Sequence, residues 1–250
     1  MELAELTRFL DGELRIAEIP DYPGAHNGLQ LESEAPVRRV AVAVDASLAV
    51  IEQAVAEGAQ LLVVHHGMFW RGVEPVTGPR FRKLKAALDG GLAIYSAHLP
   101  LDVHPRLGNN ACLAAAMGLA GCEPFLEWKG IQLGLAGPMD GTREDLAARV
   151  RDAVGGPVHV CPGGSAQAGR VGVITGGAGS EVAAAAACGI DTLVTGEGPH
   201  WSFPLAEELG VNVLYAGHYA TETFGVRALA AELEEKFGLE WCFIDRPTGL

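Results

Sequence analysis

The stretch RVAVAVDASLAVIEQAVAEGAQLLVVHHG, residues 39–67, reads as a strand, a helix and a second strand. Its opening run, taken with the two residues before it as VRRVAVAVDAS (37–47), is the first strand. Helical spacing then runs from Leu48 to Glu57, and Gly58 can end that helix in a left-handed conformation. LLVV (61–64) is continuous and apolar, the pattern of a strand covered on both faces of its sheet. A second stretch, RVGVITGGAGSEVAAAAACGIDTLVTGEG (170–198), aligns with the first over 29 residues without a gap. Gly58 falls on Gly189, Val63 on Val194 and Gly67 on Gly198. Further on, YSAHLPLD (95–102) aligns with YAGHYATE (215–222), which sets His98 on His218 and Asp102 on Glu222. Apolar periodicity recurs in any α/β chain; the shared Y-x-x-H-x-x-x-[D/E] does not. The chain therefore reads as an internal duplication.

Outside these stretches, LAELTRFLD (3–11) has the spacing of a first helix. PRFRKLKAALDGG (79–91) has that of a helix with proline at its start and glycines at its end. LAIY (92–95), GRVGVITG (169–176) and VNVLYAG (211–217) read as strands. A long helix follows the last of these to about residue 237, and WCFIDRP (241–247) reads as a final strand. HLPLD (98–102) is expected as a loop, because Pro100 interrupts it. Asn109 or Asn110 is expected to cap a helix beginning near Ala111. In mid-chain, Thr142 followed by Asp145 fits a capping box, and PVHVCPGG (157–164) is a short strand and loop. No low-complexity linker separates the halves. The fold class is α/β: two similar, interlocked α/β halves, residues 1–125 (with part of the second interleaved) and 126–250, in a single globular unit.

Hydrophobic residues make up 49% of the 250, ample for a core. No apolar stretch approaches the roughly 18 residues of a membrane span, and the N-terminus lacks a basic-then-apolar signal pattern, so a cytoplasmic protein is expected. A formal charge of −13 disfavours nucleic acid, whose phosphates it repels. Arg38–Arg39 is the densest basic spot before residue 80. The same acidic balance attracts divalent cations. Five cysteines, an odd number with no C-x-x-C pair, argue against a disulfide framework or a structural zinc site and for reduced, mostly buried thiols.

The apolar strand LLVV runs into His65, His66 and Gly67. Neighbouring side chains of a regular strand point to opposite faces, so adjacent histidines cannot serve one centre from mid-strand. At the carboxyl end of a strand, with Gly67 to let the chain turn, both imidazoles can swing into one crevice, where α/β sheets bind ligands. Buried imidazoles without partners are costly, and two side by side suit a divalent transition metal. The i,i+4 pair His218 and Glu222 faces one way if a helix starts near Gly217. His65, His66, Asp102, His218 and Glu222 are enough to hold two divalent metal ions if one carboxylate bridges. The mixed N/O donors admit zinc, manganese, iron or nickel. Glu197 falls at the position of His66 in the second repeat; it reads either as a carboxylate orienting a ligand histidine or as a polar loop residue. ITGGAG (174–179) lacks the register and the lysine of a nucleotide cradle. His26, His104 and His159 read as surface or core histidines.

NGLQLE (27–32), LLVVHHGMFW (61–70), AHLPLDVHPRLGNNACLA (97–114), TGEG (195–198) and GHYATETFG (217–225) cover nearly the whole chain in order. Together they resemble the motifs of the GTP cyclohydrolase 1 type 2 homologues, also called Nif-three-like proteins, in their short bacterial form. The resemblance implies two similar α/β halves with a dinuclear metal site in the crevice between them. It implies His65, His66, Asp102, His218 and Glu222 as the metal ligands and His98 as a histidine lining the same pocket. It also implies a ring-like homohexamer. The family name implies a cyclohydrolase acting on GTP, but that name is a homology label. Many members carry an aspartate near NGLQ; here His26 precedes Asn27.

The chemistry expected is that of a metal-dependent hydrolase acting on a nucleotide or another small phosphorylated or heterocyclic metabolite. His98 is the proton shuttle in this reading, since imidazole titrates near neutrality. The alternative is a non-catalytic oligomeric scaffold or metal-handling protein. Turnover that depends on His98 separates the two.

Overall fold

The two aligned stretches become the centres of two different sheets. The computed structural model describes every residue except Arg71 and Val73. The chain divides into two units: Met1–Leu101 with Gly225–Arg246, and Asp102–Phe224 with Pro247–Leu250.

The first unit begins with α1 (Leu3–Glu13), which buries Leu3, Leu6 and Leu10 along one face. β1 (Gly28–Leu31), β2 (Arg39–Asp45), α2 (Leu48–Ala56), β3 (Leu61–His66), α3 (Gly78–Asp89) and β4 (Ala93–Ser96) follow. Ser47 caps α2 by accepting the Val50 N–H at 3.2 Å. α4 (Leu99–Asp102) leads into the second unit. That unit contains α5 (Asn109–Ala116), β5 (Glu123–Trp128), β6 (Ile131–Thr142), α6 (Arg143–Val154), β7 (His159–Pro162) and β8 (Gln167–Val173). It continues with α7 (Val182–Ala187), β9 (Thr192–Thr195), α8 (Ser202–Leu209), β10 (Asn212–Tyr215) and α9 (His218–Thr221). α10 (Thr223–Phe237) and β11 (Glu240–Phe243) return the chain to the first unit.

β4, β3, β2 and β11 run parallel in that order, with β1 antiparallel beside β4. In the second unit β10, β9 and β8 run parallel in the same order, with β7 antiparallel beside β10. The hairpin β5–β6 extends this sheet antiparallel to β8. The three-strand centres match, so the α/β class with two similar halves is what the chain builds. The last strand pairs with β2 of the first unit, which interlocks the halves in sequence. Parallel strands covered on both faces need apolar residues at successive positions. Val40, Val42, Val63 and Val64 are accordingly buried. Ile51, Leu62, Ile94 and Ile244 share one apolar cluster. Leu113, Leu146, Val150, Val171 and Leu214 share another in the second unit.

Several local expectations change. HLPLD is not a loop: residues 99–102 form α4, because Pro100 sits in a first turn, where its missing N–H has no acceptor to lose. Gly67 has no left-handed backbone. A Cβ there would lie 2.6 Å from both Gln30 Oε1 and Ser96 Oγ, so glycine answers a close approach rather than a turn. Neither Asn109 nor Asn110 caps α5, whose preceding residue is Gly108; both turn inward instead. The long helix after residue 217 is divided at Glu222 into α9 and α10. β1 and the β5–β6 hairpin carry weaker periodic signals than the parallel strands and are additions to the expected plan. The Thr142–Asp145 capping box is present in full. All five thiols are free, but only Cys161 is fully buried, and Cys188 is exposed. Among the described residues no helix is long and apolar enough to cross a membrane.

Asn110 ties three segments of the second unit. Its Nδ2 donates to the carbonyls of Asp102 (3.1 Å) and Leu133 (2.9 Å), and its Oδ1 accepts the Thr175 N–H (2.9 Å). Asn110→Ala strands three buried backbone groups. It is expected to cost about 3 kcal/mol of unfolding free energy. Urea denaturation should read this as a lower midpoint at unchanged slope.

Candidate metal centre

In the first unit the strand continues through both histidines rather than ending at Val64. Asp45 on β2 stands opposite His66 on β3 in the parallel register. That pairing sets the first contact: His66 Nδ1 donates to Asp45 Oδ1 at 2.9 Å. His65 is fully buried and donates from Nδ1 to the Ala97 carbonyl at 3.0 Å. His98 donates from Nδ1 to Asp21, at 2.9 Å to Oδ1 and 3.2 Å to Oδ2. The three rings gather, with centroids 4.7 Å apart for His65–His66 and 4.9 Å for His65–His98. One ligand atom from each lies within 4.8 Å of the others. Trp70 stands 4.9 Å from His98, edge-on, and is held by Nε1 donating to the Gly67 carbonyl at 2.7 Å.

Asp21 is itself fixed. It accepts from Asn27 Nδ2 (2.8 Å) and from the backbone N–H of Tyr22 (2.7 Å) and Leu99 (3.1 Å). Asn27 Oδ1 in turn accepts the His98 backbone N–H at 2.7 Å. Burial alone would raise the Asp21 carboxyl, but the hydrogen bond and charge of His98, with the Asn27 and Tyr22 donors, outweigh it and hold it below the ordinary carboxylate range. It stays ionised near neutrality.

In the second unit Gly217, with φ +91°, turns the chain into α9. His218 and Glu222 then face one way, as the spacing predicts, with Nε2 and Oε2 3.2 Å apart. His218 Nδ1 donates to Glu197 Oε1 at 2.9 Å. The imidazole is pushed up to about 9, chiefly by the Glu222 hydrogen bond, against its burial, with Glu197 adding to the rise. Glu222 is buried. The glycine-rich ITGGAG turn makes room for it: Gly176 has φ +70°, and a Cβ there would overlap the Glu222 carboxylate. Gly176 N–H also donates to Thr221 Oγ1 at 3.0 Å, which clamps α9 against this turn. Asp102, buried at the end of α4, accepts from Asn109 Nδ2 at 2.8 Å and from Thr175 Oγ1 at 3.3 Å. Thr175 and Gly176, neighbours in the chain, thus touch the two carboxylates.

The six residues singled out in the sequence fall into two sets: His65, His66 and His98 in the first unit, Asp102, His218 and Glu222 in the second. Glu197, left open between two readings, touches His218. Asp45 was readable in principle as a lone carboxylate at a strand end beside the histidine strand. Asp21 lies in a loop with no periodic signal. The position before Asn27 is not where its carboxylate comes from: Asp21, six residues earlier, bonds to Asn27 directly. The His26 backbone carbonyl accepts from Gln30 Nε2 at 2.6 Å. His104 Nδ1 accepts the N–H of Leu107 at 2.9 Å, closing a turn.

The donor chemistry fits a divalent metal. All four candidate histidines give their Nδ1 proton to an oxygen; this leaves the lone pair of His65, His66 and His98 on Nε2, whereas His218 Nε2 faces the Glu222 carboxylate and would exchange its proton for a cation. A fixed tautomer with an oriented ring is what a metal-binding imidazole requires. Together with the carboxylates, the residues can hold a metal ion.

Residues 1–249 match the family model described as Duf34/NIF3 (NGG1p interacting factor 3). The chain is 46% identical over 248 residues to a GTP cyclohydrolase 1 type 2 homolog of Deinococcus radiodurans, covering 98% of this chain and 94% of that one. The solved structure of protein ybgI superposes with a TM-score of 0.93 at 37% identity, over the full length of both chains. That of TTHA1606 from Thermus thermophilus gives 0.89 at 41%, again over both full lengths. The chain belongs to the Duf34/NIF3 family.

Proposed function

We propose that this protein is a dinuclear-metal-dependent hydrolase. His65, His66, Asp102, His218 and Glu222 hold two divalent ions, and His98 moves the proton. The observation that carries the reading is the Nδ1 pattern: each histidine of both sets is held through Nδ1 by an oxygen acceptor, so that Nε2 is the atom aimed for a cation, in His218 beside the Glu222 carboxylate. Two bound divalent ions would supply Lewis acidity and an activated water near neutral pH. Asp21 holds His98 in one tautomer and one orientation, so its Nε2 can take or give a proton at a fixed place. Trp70 walls the histidine cluster and limits the water beside it. The relatives' name, GTP cyclohydrolase 1 type 2 homolog, supports a nucleotide or another small phosphorylated or heterocyclic metabolite as the substrate class. The resemblance of its motifs to the Nif-three-like proteins supports a homohexamer as its assembly.

Elemental analysis of the purified protein, with activity profiling on the same sample, tests this. Wild type should carry two ions per chain and turn over a member of the nucleotide panel. Glu222→Gln should lower metal content and turnover together; full activity with an emptied site sinks the mechanism. His98→Ala should keep both ions and lose turnover. Loss of an ion would make His98 a ligand, and fully metallated wild type without turnover across the panel would leave a metal-binding scaffold.

Gly176→Ala should empty the site by displacing Glu222. Gly155→Ala is the control: it also has positive φ, at +66°, with nothing near its added Cβ. It should lose stability to backbone strain, about 1 kcal/mol, and keep its metal.

Chelator-treated protein should show the His218 pair in its pH profile. A histidine raised from 6.5 to about 9 adds stability that is fully present below 6.5 and lost as pH rises through about 9. The melting temperature of metal-free wild type should therefore fall across that window by more than that of metal-free Glu222→Gln.

A further inference from the structure

Glu197 also lines a cavity of about 360 Å³ in the second unit. Its walls include His159 on β7, Tyr215 on β10, Phe203 at the start of α8, and Pro199 and His200 in the loop after β9. Register places His159 directly opposite Tyr215, and their rings lie nearly parallel, 26° apart in plane at 6.2 Å. Phe203 stands 5.9 Å from His159. The Tyr215 hydroxyl is fixed against Ser202 Oγ at 2.7 Å, so this aromatic wall is rigid.

Two features decide what such a cavity takes. Its lining is mostly apolar and aromatic, and its size is that of pockets for small organic ligands. The anionic group in it is Glu197, a carboxylate whose Oε1 already takes the His218 N–H. An ionised carboxylate has about four lone-pair positions and no proton to give. It therefore selects a partner with N–H donors, and the aromatic wall selects a flat one.

We infer that this cavity binds a planar nitrogen heterocycle, its face on the His159–Phe203–Tyr215 wall and an N–H edge on Glu197. The site deepens the hydrolase reading by naming the part of the substrate held beside the His218 ligand. It needs no metal ion of its own, so the two claims can fail separately. A ring offering two adjacent N–H donors to one carboxylate should bind best. Guanosine has that edge, inosine lacks its exocyclic amine, and adenosine presents an amino group beside an acceptor.

Isothermal titration calorimetry of guanosine, inosine and adenosine into the full-length purified protein tests this, with metal content measured on every sample. Guanosine should bind saturably, ahead of inosine and adenosine. Loss of stacking at His159→Ala, an exposed edge-strand position, and at Phe203→Leu should each weaken guanosine about tenfold with metal content unchanged. Phe203→Tyr should restore binding. Absence of saturable guanosine binding, adenosine binding as tight as guanosine, or wild-type affinity in both His159→Ala and Phe203→Leu overturns the inference. Guanosine bound as expected without turnover of any nucleotide leaves this site standing and sinks the hydrolase reading alone.

Discussion

An imidazole offers one lone pair to a cation, and the nitrogen that carries it is decided by where the other nitrogen's proton goes. In this chain that proton is placed four times: on the Ala97 carbonyl by His65, on Asp45 by His66, on Asp21 by His98 and on Glu197 by His218. Three of the acceptors are carboxylates, which also make the ring a better donor. The exception is His65, the fully buried ring, which gets a neutral carbonyl. An ionised partner at that depth would cost more to desolvate than it returned. The contacts need backbone placed to within a hydrogen bond's tolerance. The buried apolar strands provide it, because a register slip by one residue would turn every side chain to the other face.

The duplication explains how one chain comes to present two different donor sets. Both sheets share a centre of three parallel strands in the same order, and the carboxyl ends of these strands offer equivalent places. The residues at those places have diverged. His66 aligns with Glu197, so one copy has a candidate ligand where the other has a carboxylate that orients one. Asp45 aligns with Gly176, so one copy has an orienting carboxylate where the other has empty space. The space is needed, because Glu222 fills it. The glycine-rich turn in the second copy thus serves a side chain of its own unit rather than a phosphate.

Much of this was legible in the residues. Parallel strands announce themselves as continuous apolar runs, and helices by spacing, proline starts and glycine ends; β2, β3, β4, β8, β9 and β10 fall where those patterns put them. Four of the six candidate site residues were readable because adjacent histidines at a strand end and an i,i+4 His/Glu pair are uncommon outside ligation; His98 and Asp102 were readable from their alignment with His218 and Glu222 and from the family resemblance. The rest depended on contacts that leave no periodic mark. Asp21 reaches His98 across 77 positions of sequence, and Asp45 reaches His66 only because β2 and β3 are paired. HLPLD misled because proline is read as a helix breaker, whereas in a first turn it loses nothing. Gly67 misled because glycine is read as conformational freedom, whereas here the missing Cβ makes way for Gln30 and Ser96.

Glu197 joins the two chemistries of the second unit. One of its oxygens holds the His218 ring, and its side chain also lines the aromatic cavity. A heterocycle that donates an N–H to this carboxylate draws on the same negative charge that makes His218 basic. The two bonds therefore compete for one anion, although they engage different lone pairs. Linkage makes the competition reciprocal: whatever factor a bound heterocycle applies to the affinity of His218 for a cation, the cation applies to the heterocycle. A neutral residue at this position would hold the imidazole less firmly and lose that coupling. A carboxylate half in solvent, at 45% exposure, keeps the coupling modest, strong enough to orient a ring and weak enough to let go of a ligand.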